Sequence, residues 1–278
     1  MNIIRAIINI VNCPSYKTKD YVKSRNRINN MGEALELFIM DAFSGAFYID
    51  DVEQAQERYF NAFSYKGNQN NPPDLILKGG DAIEVKKIES SGSALALNSS
   101  YPKAKLYSDS PMITYACKNC ENWVEKDIIY AVGVVKDNQI SHLCFVYGID
   151  YAASRDVYER IKDVIKTGVS DIQDVEFSET NELGRVNKVD PLGITYLRVR
   201  GMWHIENPIK LFSYVYQPIE KIDFKFFAII NNDKFNTFDE KDIKELKECK
   251  NLSIKDIKIK EPDNPARLKD AKLITYLR

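Results

Sequence analysis

Two adjacent prolines constrain this chain more than any other feature. Pro72 and Pro73 lack backbone N–H groups and each fixes its own φ, so the preceding element is expected to stop there and Asp74 to open a new one. Leu75-Ile76-Leu77 follows as a short apolar run, then Gly79-Gly80, then Ala82-Ile83-Glu84-Val85-Lys86. This is the pattern of a β-hairpin: a buried strand, a two-glycine turn and a returning strand. The period of two on the returning strand sends Ile83 and Val85 to one side and Glu84 and Lys86 to the other. Such a hairpin brings Asp74, Glu84 and Lys86 together at the end of two neighbouring strands.

An ordinary edge hairpin that leaves an Asp, a Glu and a Lys in water has the same spacing, and all three residues are common. The Pro-Asp opening, the apolar strand and the alternation of Glu84 with Val85 favour convergence. In this arrangement the stretch resembles the PD-(D/E)xK motif of the restriction-endonuclease-like nucleases, with Asp74, Glu84 and Lys86 at the motif positions. The run through Ile88-Glu89-Ser90 and Ala96-Leu97-Asn98-Ser99-Ser100-Tyr101-Pro102-Lys103 is similar to Type II restriction enzymes of the NgoPII type, and that likeness extends over most of the chain.

The resemblance implies an α/β fold with a restriction-endonuclease-like core, a central mixed β-sheet flanked by helices and additional peripheral elements. It implies one such domain over residues 1–278, a catalytic core at approximately 30–150, and DNA-binding and dimerisation elaborations elsewhere. The expected activity is sequence-specific cleavage of double-stranded DNA at a short palindrome, GGCC for the NgoPII type, by a homodimer whose cognate DNA methyltransferase protects the host. Hard oxygen donors select Mg²⁺, with Mn²⁺ as a substitute, and Asp74, Glu84 and the backbone carbonyl of Val85 are the expected ligands. Lys86 would orient the attacking water or offset charge on the phosphoryl group. Nucleases of this kind often add a carboxylate from a neighbouring helix; Glu33 and Glu36 are available, and Glu33 is preferred because it follows Gly32. Two other readings stay open: a structure-specific repair or junction-resolving nuclease of the same fold, and a DNA-binding module without catalysis.

Candidate DNA contacts are Asn98, Ser99, Ser100, Lys103 and Lys105 after the hairpin, Arg185 in a polar stretch, and Arg198 and Arg200 at strand spacing. A guanidinium can hold guanine O6 and N7 together, although a salt bridge on a sheet surface is the ordinary use of such a residue. Arg5, Lys17, Lys19, Lys23, Arg25 and Arg27 crowd the first thirty residues against Asp20, suiting either phosphates or solvent. The net charge of −1 does not by itself announce a nucleic-acid binder.

Five cysteines, an odd number, suit a reducing compartment. Cys117 and Cys120 form a CxxC, and adding His142 and Cys144 draws a weak zinc site against the simpler reading of packed thiols. No apolar run reaches the roughly 18 residues of a membrane span, and a cytoplasmic location is expected. Hydrophobic periodicity predicts helices over about 30–42, 151–169 and 239–250, and strands over 128–135, 140–147, 196–204, 224–230 and 254–259; residues 2–12 fit a helix or a strand.

Overall fold

A computed structural model of the chain describes residues 1–18, 31–68, 71–219 and 222–278, with residues 31–33 and 68 described by backbone alone. Lys19, Asp20, Lys23, Arg25, Arg27 and Asn30, where the helix expected over about 30–42 was to begin, lie outside the described residues, as does the Glu33 side chain.

Helix α1 (Ile3–Val11) resolves the ambiguity of the N-terminal isoleucines. Asn2 caps it by accepting from the Arg5 N–H at 3.0 Å, and Ile3, Ile4, Ile7, Ile8 and Ile10 are all buried. β-branching disfavours a helix weakly, whereas burial on nearly every side repays it. It packs on α2 (Met31–Ser44) and, far along the sequence, on α8 (Glu240–Glu248). Arg5 of the N-terminal basic cluster is engaged there, bonded to Glu245 and 3.6 Å from Asp242. Helix α3 (Val52–Ala62), capped by Asp51, packs beside α2.

The central sheet is mixed and nine-stranded. Its main path runs β1 (Phe63–Asn68), β2 (Asn71–Leu77), β3 (Ala82–Ile88), β6 (Glu125–Lys136), β7 (Gln139–Tyr147), β12 (Lys225–Asn231), β14 (Leu268–Leu277) and β13 (Leu252–Lys260), with β5 (Lys105–Tyr107) attached to β6. β3 runs parallel to β6 and β12 parallel to β7, while the other pairs are antiparallel. Strands from the last quarter of the chain therefore complete a sheet that begins at residue 63.

Alternation divides the buried residues into two layers. Ile83, Val85, Ile129, Ala131, Phe145 and Phe226 face α1, α2 and α8. Ala82, Ile128, Tyr130, Val132, Val146 and Phe227 face a second layer that includes Cys117 in α4 (Tyr115–Lys118) and Ile209 in α6 (Pro208–Leu211). By the same period, Asp74, Glu84 and Lys86 belong to the second face. That face also carries a three-stranded sheet, β8 (Glu176–Ser178), β9 (Gly184–Asn187) and β10 (Leu197–Val199), and a pair made by β4 (Leu95–Asn98) and β11 (Trp203–Ile205).

Two sequence expectations change. The prolines do not end an element: β2 begins at Asn71 and runs through both, with Gly67 of β1 lying against them so closely that a Cβ there would sit 2.3 Å from the Pro73 carbonyl oxygen. The strand expected over 196–204 is two strands, β10 and β11, that join different sheets. Helix α5 (Arg155–Ser170) keeps its apolar stripe, yet it has no buried residue: Val157, Ile161, Val164 and Ile165 are exposed.

Candidate active site

The hairpin forms in the expected register but stops short. Ile76 pairs with Ala82 and Leu75 with Ile83, so the next pair would be Asp74 with Glu84. It is absent from the ladder. Instead the Val85 N–H donates to Asp74 Oδ2 at 2.6 Å, so a side-chain carboxylate takes the donor that a strand carbonyl would otherwise claim. The two strands part at the level where both carboxylates sit.

Glu84 is buried on β3, and its Oε1 lies 2.6 Å from Lys86 Nζ. Its Oε2 is buried with no hydrogen-bond partner among the described residues. A charged oxygen left in that state is costly unless a cation completes it. Burial first, then the neighbouring Glu84 charge, pushes the Asp74 carboxyl well above the usual carboxylate range, against the pull of Lys86 and the Val85 N–H. Burial works to lower Lys86, but Glu84, Asp74 and Glu36 outweigh it and hold the ammonium above its ordinary value.

These groups fit a hard divalent cation: one orphaned carboxylate oxygen, a second carboxylate beside it, and the Val85 backbone at the same level. Among the described residues no three carboxylate, imidazole or thiol side chains converge, so such an ion would rely on water and substrate oxygens for its other positions. Glu36 of α2 adds its charge to both Asp74 and Lys86. The sequence offered Glu33 and Glu36 together, and one helical turn separates them.

The trio opens into a cleft of about 530 Å³ lined by Asn98, Ser99, Ser100, Glu182, Arg200 and Met202, among others. The cleft therefore joins the hairpin to four of the eight candidate contacts. Asn98 has φ of 51°, and Ser100 N–H closes the turn on the Leu97 carbonyl at 3.2 Å, so the Asn-Ser-Ser run is a tight turn at the end of β4.

The other four candidates do not line the cleft. Lys103 is only 9% exposed; its ammonium is bonded to the Ser100 hydroxyl beneath the turn, in a small pocket shared with Glu84 and Tyr130. Burial pushes Lys103 down to about 8, Glu84 opposing and Lys86 and Lys162 adding to the shift. Lys105 pairs with Glu125 at 2.5 Å. Arg185 stacks on the Tyr196 ring at 3.9 Å, and Arg198 binds Glu182. The drawn zinc set also disperses: His142 Nε2 meets the Tyr216 hydroxyl at 3.0 Å, the Cys144 thiol donates to the Val132 carbonyl at 3.5 Å, and burial pushes the Cys117 thiol up to about 12.

Glu182 is the site residue that sequence reasoning missed. It lies in the polar stretch before β9, where nothing local distinguishes it, and its importance arises from partners at Ser99, Arg198 and Arg200.

The chain is 55% identical over 277 residues to the Type II restriction enzyme NgoPII of Neisseria gonorrhoeae, covering 99% of each chain. No solved structure matches it. The family model for the NgoPII restriction endonuclease matches residues 1–260, and the chain belongs to that family of restriction endonucleases.

Proposed function

We propose that Asp74, Glu84 and Lys86 form the catalytic centre of a sequence-specific endonuclease that hydrolyses phosphodiester bonds in both strands of DNA, with Mg²⁺, or Mn²⁺ in its place. The observation that carries this reading is the buried, unpartnered Oε2 of Glu84 beside Asp74 and Lys86 on the floor of an open cleft. Asp74, Glu84 and the Val85 carbonyl would hold the ion, and we favour Glu36 over Glu33 as the helix carboxylate because its charge reaches both Asp74 and Lys86. When bound, the ion lowers the pKa of a water and polarises a phosphate oxygen.

The chain's own part is to place charge. Lys86, kept protonated by its carboxylate neighbours, donates to the attacking water or to the phosphoryl oxygens as negative charge grows on them. The water oxygen bonds to phosphorus as the bond to the leaving sugar oxygen breaks; the water proton passes to solvent, and the leaving oxygen takes a proton from solvent to become a hydroxyl. Asn98, Ser99, Ser100 and Arg200 supply donors and acceptors along the cleft for the substrate backbone and bases.

The proposed target is a short palindrome, GGCC by the NgoPII likeness, with a cognate methyltransferase as the functional partner. Each chain carries one such centre, and a two-fold dimer matches a palindrome most simply. The exposed apolar stripe of α5, Val157, Ile161, Val164 and Ile165, supports a second copy there.

Incubation of the full chain with plasmid and Mg²⁺ is the test. Discrete, reproducible fragments are expected, and a smear or cutting confined to branched junctions would overturn sequence-specific restriction. Glu84→Ala and Lys86→Ala are each expected to slow cleavage at least about 10²–10³-fold while retaining duplex binding by fluorescence anisotropy. Variants that cut like the wild type would remove the catalytic assignment.

A further inference from the structure

Glu182 joins two parts of the cleft that are distant in sequence. Its side chain is only 13% exposed. Oε1 accepts from the Ser99 hydroxyl at 3.2 Å, on the turn beside the catalytic hairpin. Oε2 accepts from Arg198 Nε at 3.2 Å and forms an ion pair with Arg200, whose Nε lies 3.0 Å away. One carboxylate thus holds two guanidinium groups and one hydroxyl.

The atoms used decide what is left over. Both arginines meet Glu182 through Nε, on the inner edge of the guanidinium. Among the described residues neither has another side-chain partner, and their side chains are 53% and 57% exposed. Each therefore keeps its two terminal nitrogens for a ligand, with its inner edge drawn toward the Glu182 carboxylate. Of the two, Arg200 lines the cleft and Arg198 does not.

A guanidinium held at its inner edge, with both terminal nitrogens free, matches the paired acceptors O6 and N7 on the major-groove edge of guanine. A phosphate would accept the same donors from many directions and would not need a buried carboxylate behind the arginine. An arginine without a buttress must also lose its side-chain freedom on binding. We propose that Glu182 is a specificity-determining positioning residue, which fixes the Arg200 guanidinium to read a guanine in the cleft and couples that reading through Ser99 to the turn beside the catalytic hairpin. This rests on the nuclease reading above. One guanidinium balances the Glu182 carboxylate and the other is in excess, so the unit of two arginines and one glutamate keeps a net positive charge toward DNA.

The test uses the full chain and duplexes carrying the cleavage site mapped from wild-type plasmid fragments. In each duplex one guanine is replaced by 7-deazaguanine, which lacks N7, or by 2-aminopurine, which lacks O6. Wild type is expected to lose roughly ten- to hundredfold in kcat/KM at one guanine position and little at positions read by other groups. Arg200→Ala and Glu182→Ala should both flatten that loss while lowering kcat/KM on the unmodified site. Glu182→Gln, which preserves size and one acceptor for Nε, should restore part of the discrimination. A buttress that served only folding would lower all duplexes alike. If wild type gives discrete cutting but Glu182→Ala keeps the full penalty at that guanine, or no guanine carries one, the role assigned to Glu182 is overturned and the nuclease reading stands. If wild type cuts no duplex, both fall.

Discussion

Asp74 shows what placing chemistry in a hairpin costs the fold. Its carboxyl is pushed up by burial and by Glu84, so the folded state favours the protonated form more than the unfolded chain does. The sign follows directly. A carboxyl whose folded pKa exceeds its unfolded value, about 3.9, contributes most when protonated, and that contribution is lost as pH rises toward the raised value. Asp74→Asn should therefore abolish cleavage and yet stabilise the metal-free protein at pH 7 by about 1 kcal/mol, or roughly 2–4 °C in Tm, with the gain vanishing below about pH 4. Thermal unfolding of both proteins across pH checks this, and a less stable Asn variant at pH 7 contradicts it. At this scale the motif residues were legible because prolines, glycines and strand alternation are local signals. Glu182 was not, and Lys103, named as a DNA contact, is buried away from the cleft, since the partners of one and the burial of the other depend on segments that meet only in the folded chain.

Elements differ in how openly the sequence announces them. β6 and β7 match two strands expected from the periodicity, and they pair as a hairpin with Val132 opposite Cys144 and Val134 opposite His142. The expected strand over 196–204 divided because its two halves pair with different partners, β9 and β4, a choice no local period encodes. Helix α5 shows the converse: the period was right, but a stripe on an exposed helix looks the same in sequence as one on a buried helix. His142 illustrates how an element can fix a titration. Set in β7 against Tyr216, it is pushed down to about 4 by burial, with the Lys225 charge adding to the effect. A histidine with a depressed folded pKa loses stability as pH falls from its unfolded value, about 6.5, toward 4, because only the unfolded chain gains the proton. Wild-type stability should drop by about 3 kcal/mol across that window from this residue alone. Urea titrations should give His142→Phe a shallower pH dependence there; an unchanged slope contradicts the assignment.

For the whole molecule, the dimer reading is open to direct measurement. Sedimentation should give wild type the mass of two chains, and Ile161→Glu, which puts a charge in the exposed α5 stripe, should shift it to one chain with its thermal stability kept. Wild type sedimenting as a single chain while cutting both strands together would contradict that reading. The mixed sheet flanked by helices was legible from the family likeness and the alternating segments, whereas the order of its strands was not, because residues 225–277 reach back to join β7. The placing of β14 between β12 and β13 has a consequence for how the chain comes into being. β13 is synthesised before the only strand that pairs with it among those described, so residues 252–260 emerge from the ribosome as a lone strand with open N–H and C=O groups. Ser253, Lys255, Asp256, Lys258 and Lys260 are exposed along it, and charge of that kind discourages pairing with other chains while the strand waits. Once β14 arrives, β13 becomes the outer edge of the sheet, and the charges that guarded the nascent chain go on to guard the finished one.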